Sequence, residues 1–208
     1  FPVVVKPSNA GGGKGTSIVR TKEELDQAVR YAADVATRSF GTAAVHLEKY
    51  LENVRHIEVQ AVADRFGNTF HLLERECSWQ RRYQKVVEES PSIAVSPLLR
   101  SQLATAALTV MKSAGYVNMG TMEFLVDNHN KFYFLDANCR IQVEHPVSEL
   151  ITGLDMVELQ LSIAFGQKLG ISQDKIRARG HAIEARVYAE DPKSFLPSAG
   201  LITSYREP

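Results

Sequence analysis

The residues of this chain best suited to chemistry lie between Met119 and Glu144, in the run MGTMEFLVDNHNKFYFLDANCRIQVE. Asp136, Asn138, Arg140, Gln142 and Glu144 take every second position, with Leu135, Ala137, Cys139, Ile141 and Val143 between them. A period of two predicts a strand with one polar and one apolar face. If the run folds back around His129 and Asn130, Glu123 lies directly opposite Asp136, with Cβ atoms roughly 5 Å apart. Carboxylates that close repel one another unless a proton or a cation is shared. Mg2+ resolves this most simply, because it takes oxygen ligands and is commonly held by one or two carboxylates plus substrate phosphates. Asn138 could add a neutral oxygen, and Arg140 brings a planar fork suited to a small oxyanion, ahead of Gln142 and Glu144. Fully extended, Asp136 to Glu144 would span roughly 26 Å, too far for one small site. The reading therefore requires a bend near Arg140. The competing possibility is an amphipathic hairpin whose polar face is only solvated.

Positioning these groups requires a sheet, and the rest of the chain supplies strands and helices in alternation. Pro2 to Lys6 predicts a strand running into SNAGGGKG, after which TSIVR resumes strand character. Gly11, Gly12, Gly13 and Gly15 make a hairpin tip whose free N–H groups can wrap an anion, flanked by Lys6 and Lys14. It is not a Walker loop, since Gly rather than Ser or Thr follows Lys14 and no helix opens there. Thr21 with Glu24 forms a capping-box pattern opening a helix to Phe40, with Gly41 ending it. Strands are expected around 45–50, 55–64 and 69–76, and His56, Glu58 and Gln60 share one face of the second, as on a half-exposed strand. Arg75, Arg81, Arg82 and Lys85 gather positive charge beside Trp79 and Tyr83, either paired internally or forming an anion site on a loop. Ser96 and Pro97 predict the start of a helix to Ser113. His145 and Pro146 break the chain before one long helix over 147–167. The last part predicts a strand over 183–189, with Glu184, Arg186 and Tyr188 on one face, and a final strand in LITSY. Arg186 is kept as a second guanidinium able to stabilise an anionic intermediate.

The totals of 24 Lys and Arg against 24 Asp and Glu argue against a general nucleic-acid or anionic-membrane binder. No apolar run approaches the roughly 20 residues that cross a bilayer, and nothing resembles a signal peptide. Cys77 and Cys139 make neither a disulfide framework nor a metal cluster, which fits a reducing compartment. The first residue is not Met and both ends are strand-like, so the chain is expected to be a piece of a longer polypeptide. From the residues alone, a glycine hairpin with lysines, facing carboxylates and a downstream Arg/Gln/Glu set point to magnesium-dependent phosphoryl transfer near a small anion.

The strings KPSNAGGGKG, EKYLENVRHIEVQ, RECSWQRRYQKVVEE, GTMEFLVD, NCRIQVEHPVSE and GHAIEARVYAEDP stand in the order and spacing of biotin carboxylase. Nearly the whole chain resembles the ATP-grasp portion of that family. The resemblance implies an α+β ATP-grasp fold, with residues 1–50 as a glycine-loop lid subdomain and 51–170 as an antiparallel-sheet catalytic subdomain. Residues 171–208 would begin a truncated C-terminal domain. It implies that Lys6 binds ATP phosphates under a lid made by the glycine loop. Glu48, Lys49 and Leu51 would meet adenine, with His56 and Gln80 near the ribose. Glu123, Asp136 and Asn138 would hold Mg2+ (or Mn2+), while Lys85, Arg140, Gln142 and Val143 form a bicarbonate pocket. Glu144 would deprotonate bicarbonate and Arg186 would steady the biotin enolate. Bicarbonate would attack the γ-phosphate of ATP to give carboxyphosphate, whose CO2 is captured by biotin. A biotin carboxyl carrier and a carboxyltransferase component are the implied partners, with a homodimer possible, in the cytoplasm or mitochondrial matrix. Two positions depart from the family pattern. Asp136 stands where the family usually has Glu, and Tyr83, a nucleotide-contact position, where it often has His. Another ATP-grasp ligase such as a carbamoyl-phosphate synthetase, or a silent nucleotide-binding assembly module, remains open at this level.

Overall fold

The computed structural model describes residues 1–9 and 13–206. Two antiparallel sheets organise them. The first joins β1 (Val3–Pro7), β2 (Ser17–Val19) and β3 (Val45–Lys49) in the order β2-β1-β3. Helix α1 (Leu25–Phe40) covers one side through Ala28 and Ala32, small residues packed against Val5 and Val19. Strand alternation then turns Val4 and Lys6 to the opposite side. The capping box forms only in half. The Glu24 carboxylate accepts from the backbone N–H of Arg20 at 2.8 Å and of Thr21 at 3.4 Å, but no side chain caps the helix, which starts at Leu25. Gly41, at φ 70°, closes it as expected.

The second sheet has the order β8-β7-β4-β5-β6-β9. Its strands are β4 (Arg55–Ala63), β5 (Thr69–Arg81), β6 (Gln84–Ser90), β7 (Asn118–Val126), β8 (Phe132–Asn138) and β9 (Ala182–Ala185). Strand β5 outruns its expected end at Glu76, and the segment read as a loop is a hairpin into β6. Arg82 and Tyr83 form its tip, both with positive φ.

Helix α2 (Pro97–Ser113) begins as the sequence indicates, with Ser96 Oγ accepting from Leu99 N at 3.2 Å. It packs Leu99, Leu103, Ala107 and Met111 on Ile57, Val59, Met122 and Phe124, the odd-numbered face of β4 and the even-numbered face of β7. The other face carries Glu58 and Gln60, then Val62. Its far end is roofed by α3 (His145–Thr152) and α4 (Met156–Ala164), whose Met156 and Ile163 pack against Val62, Leu72 and Met119. These two helices replace the single helix expected over 147–167. Gly153 at φ 71° ends the first, and Asp155 caps the second by accepting from Glu158 N at 2.8 Å. The expected strand over 183–189 pairs only through Ala185, and LITSY has no strand partner among the described residues.

Candidate active site

The polar face of the large sheet carries a transverse row of acidic and basic side chains, and the register explains it. Glu58 lies opposite Arg75 on one side and Glu123 on the other, Glu123 lies opposite Asp136, and Glu184 lies opposite Glu88. The β7–β8 pairing is the one expected from the sequence at Glu123 and Asp136, and it shifts by one residue before Phe124 and Phe134. The chain bends at Arg140, so Gln142 and Glu144 return over the same face instead of running on.

The row opens into a cleft of 960 Å3 between the two sheets. Lys6 and Glu48 enter it from the small sheet, followed by Lys49 and Leu51. His56, Gln80, Tyr83 and Lys85 line it from β4 and the β5–β6 hairpin. Glu123, Asp136, Asn138, Arg140, Gln142, Val143, Glu144 and Arg186 complete the wall. Gly13 also lines the cleft; at φ 75° its Cβ position lies 2.9 Å from Tyr83 Cδ2, so only glycine lets the loop lie on that ring. Gly15 sits behind the cleft wall, against Pro7 and Val35. Gly11 and Gly12 lie outside the described residues.

Lys85 is the hub. Its Nζ donates to Glu58 Oε2, to Glu123 Oε1 at 2.8 Å and to Glu144 Oε1 at 2.7 Å. Burial opposes the ammonium charge, but Glu58 and its neighbours outweigh it and raise the Lys85 pKa. Arg186 Nη2 donates to the other Glu144 oxygen at 2.6 Å, and its Nε to Glu88 Oε1 at 2.6 Å. Glu144, 2% exposed, is thus pinned between two cations. Burial pushes the Glu123 carboxyl up, but the His56 ring and Lys85 bring it down to about 2. His56 Nε2 stands 3.2 Å from Glu123 Oε2 yet out of line for a hydrogen bond, while Gln80 Nε2 lies 2.9 Å from its Nδ1. Burial raises the Glu88 carboxyl despite Arg186, and raises Glu184 with Glu88 adding to it. On the small-sheet side, Lys6 Nζ donates to Glu48 Oε2 at 2.5 Å.

Oxygen ligands suited to a hard cation are present. Glu123 and Asp136 are register partners, and Asn138 donates to Glu123 Oε1 at 3.0 Å while its Oδ1 faces Arg140. Glu123 shares Lys85 rather than the Asp136 side chain, whose Oδ1 accepts from Ala137 N and which is exposed. The donor set fits Mg2+, and Lys85, Asn138 and Gln142 donate to the same Glu123 oxygen.

Several readings change. Glu58 and Gln60 do not lie on a half-exposed strand: both are 0% exposed. Of the two alternatives for the basic residues, internal pairing holds: Arg75 pairs with Glu58 in the sheet face, Arg81 with Glu190, and Lys85, which faces the cleft, with Glu58. Glu88 and Arg75 were missed as site partners. The clue available was the parity of Glu58 with His56; the register that brings Arg75 beside them is invisible in sequence. His145 belongs to the start of α3, its Nδ1 2.7 Å from Gln142 O. Cys77 is buried and its thiol pushed well up by burial, so it stays protonated.

A cleft lined on one side by a strand lysine and on the other by an acid and amide row is the ATP-binding part of an ATP-grasp fold. The model of the carbamoyl-phosphate synthase L chain ATP-binding domain matches residues 1–172, and the chain belongs to that family. Within it, the resemblance to biotin carboxylase is borne out. The chain is 51% identical over 208 residues to biotin carboxylase 2 of Bacillus subtilis, covering 100% of this chain and 47% of that protein. The structure of a biotin carboxylase complex with beta-gamma-ATP from Campylobacter jejuni superimposes with a TM-score of 0.96 at 46% identity, over 100% of this chain and 46% of that one. The biotin carboxylase domain dimer of Hydrogenobacter thermophilus 2-oxoglutarate carboxylase, solved with MgADP, ADP and bicarbonate, also gives 0.96, at 47% identity and 100% and 46% coverage. The chain therefore spans under half the length of these relatives.

Proposed function

We propose that this chain is the ATP-grasp part of a biotin carboxylase, which carboxylates biotin on a carrier with bicarbonate and ATP through carboxyphosphate. The observation that carries the reading is Glu144 held between Lys85 and Arg186 in a cleft whose far wall presents Lys6. The two cations fix the orientation of the Glu144 carboxylate and attract an anionic substrate to it, which places a proton acceptor beside bicarbonate. The Campylobacter structure, a complex with beta-gamma-ATP, and the Hydrogenobacter structure, with MgADP, ADP and bicarbonate, support reading the same cleft as the ATP and bicarbonate site.

In this reading Lys6 binds ATP phosphates, and Glu48, Lys49 and Leu51 meet the adenine. His56, Gln80 and Tyr83 lie along the sugar and phosphate side, with Gly11 to Gly15 closing over them. Glu123, Asp136 and Asn138 would hold the divalent ion, which supplies charge neutralisation on the phosphates. Lys85, Arg140, Gln142 and Val143 hold bicarbonate. Glu144 takes its proton, and the freed oxygen attacks the γ-phosphorus as ADP leaves. The resulting carboxyphosphate falls apart to CO2 and phosphate, phosphate takes the biotin N1 proton, and N1 attacks CO2. Arg140 and Arg186 offset the negative charge on carboxyphosphate and on the biotin oxygen.

The division into 1–50, 51–170 and 171–208 is part of the proposal, and so are a biotin carboxyl carrier, a carboxyltransferase component and a homodimer, for which the dimeric Hydrogenobacter domain gives support. Cys77 and Cys139 are both free, and no described helix is long and apolar enough to cross a membrane. Cytoplasm or mitochondrial matrix is the proposed location. The test is ATP hydrolysis by the full polypeptide with free biotin. It should require bicarbonate and be stimulated by biotin rather than ammonia, and Glu144→Gln should remove it with ATP binding intact. Ammonia stimulation, or unchanged turnover in the variant, would refute the reading.

A further inference from the structure

Among the described residues, Arg75 is the fully buried arginine, and the carboxylation scheme leaves it without a task. It is 0% exposed, yet every N–H of its guanidinium is used. Nε donates to Glu58 Oε1 at 2.6 Å, Nη1 to Gln60 Oε1 at 2.7 Å and Ser148 Oγ at 3.0 Å, and Nη2 to Thr121 Oγ1 at 3.2 Å and Gln142 Oε1 at 3.1 Å. Five donors meeting five side chains saturate the group. The partners come from β4, β7, the segment before α3 and α3 itself, so the arginine ties the sheet to the chain that returns over it.

Two of these bonds continue into the cleft. By holding Gln142 Oε1, Arg75 fixes which end of that carboxamide faces inward, leaving Nε2 to point at the site, where it donates to Glu123 Oε1 at 3.2 Å. By holding Glu58 Oε1, it leaves Oε2 for Lys85. A buried amide with no partner on its oxygen could turn over and offer an acceptor where an anion needs a donor. The fork geometry matters, because a lysine could keep the charge against Glu58 but could not also reach Gln142 in the same plane.

We propose that Arg75 is a positioning residue for bicarbonate: it acts through Gln142, and through Glu58 on Lys85, to aim their N–H donors at the substrate oxyanion. This rests on the carboxylation reading above. None of Arg75's hydrogen-bond partners is Lys6, Glu48, Lys49 or Leu51, so its loss should bear far less on ATP binding than on bicarbonate.

The test is steady-state kinetics of bicarbonate-dependent ATP hydrolysis in the full polypeptide carrying Arg75→Lys, Gln142→Ala, or both. Arg75→Lys should raise KM for bicarbonate about tenfold, the scale of one lost hydrogen bond to a charged group. KM for ATP should stay within about twofold, the signature of a loss confined to one substrate's binding. In the Gln142→Ala background the same lysine change should raise the bicarbonate KM by less than it does alone, because one of the two groups it positions is gone while the route through Glu58 and Lys85 remains. If Arg75→Lys does not fold, Thr121→Val removes one acceptor from Nη2 while keeping the arginine, and should give a smaller rise, roughly threefold, with the same dependence on Gln142. Parallel increases in both KM values, or effects that add fully in the double variant, overturn the inference. Unmodified polypeptide that hydrolyses ATP without needing bicarbonate overturns the carboxylation reading and this inference with it, whereas bicarbonate dependence without the KM split overturns the inference alone.

Discussion

Replacing Lys85 with methionine removes one cation from three carboxylates while keeping most of the side-chain volume, and the consequence can be worked out in advance. Lys85 is 12% exposed in its side chain, and Glu58 and Glu144 are 0% and 3% exposed. Breaking a buried ion pair on one side costs roughly 3–5 kcal/mol, because the remaining charge is stranded. Glu123 gives a second measure. Its carboxyl lies at about 2 against an ordinary 4.5, and at ~1.4 kcal/mol per pH unit that corresponds to about 3 kcal/mol, shared between the His56 ring and Lys85. Lys85's share of the Glu123 shift is thus below that figure, and the stranding of Glu58 and Glu144 as well brings the expected loss to about 3 kcal/mol or more near neutral pH. The sign of the pH dependence follows from Glu123 being lower in the folded protein. Its contribution is fully present above 4.5 and is lost as pH falls through that value toward about 2. The gap between Lys85→Met and the unmodified protein should therefore be widest near pH 7 and narrow on acidification, as the stranded acids take up protons. Urea unfolding followed by circular dichroism at pH values from neutral down to about 2 would measure it. A loss below about 1 kcal/mol, the scale of an exposed pair, or a gap independent of pH, would refute the view of Lys85 as the shared cation of a buried acid cluster.

Other expectations concern the metal ligands, the glycine loop and the second cation. Asp136→Ala should weaken Mg2+ binding in the presence of nucleotide by about tenfold or more, read by titrating Mg2+ in the ATPase assay, while thermal stability of this exposed residue's variant stays nearly unchanged. Gly15→Ala forces a Cβ within 2.9 Å of Pro7 Cγ and Val35 Cγ1 at a φ of 74°, and should cost on the order of 1–3 kcal/mol in a denaturation experiment. Glu88→Leu leaves Arg186 with Glu144 alone, so it should lower biotin-stimulated turnover while KM for ATP is unchanged; an unaltered biotin response would show that Glu88 does not hold the guanidinium.

Alternation alone determined a good deal of this protein. The opposition of Glu123 to Asp136, the need for a bend at Arg140 and the Ser96 cap of α2 follow from local rules, and each is present, whereas the alternation read through Glu144 ends with the strand at Asn138, leaving Cys139 and Val143 exposed. These features depend on residues near in sequence or on a tight turn, where geometry leaves few choices. What local rules could not reach was set by pairing between distant strands. The bulge between Val59 and Ala61, with Leu73 at φ 68°, shifts the parity of β5, so Leu72 and Arg75 share a face that simple alternation would separate. Only that shift puts Arg75 beside Glu58 and under Ser148 of α3. Likewise Lys85 sits on a hairpin whose tip residues, Arg82 and Tyr83, carry no glycine to announce a turn. The break at Gly153, which divides the expected single helix, places α3 over the buried arginine and α4 over Val62 and Leu72. Sequence named most of the charged groups; the register of six strands decided which of them meet, because a buried charge is tolerated only where the tertiary fold brings it a partner.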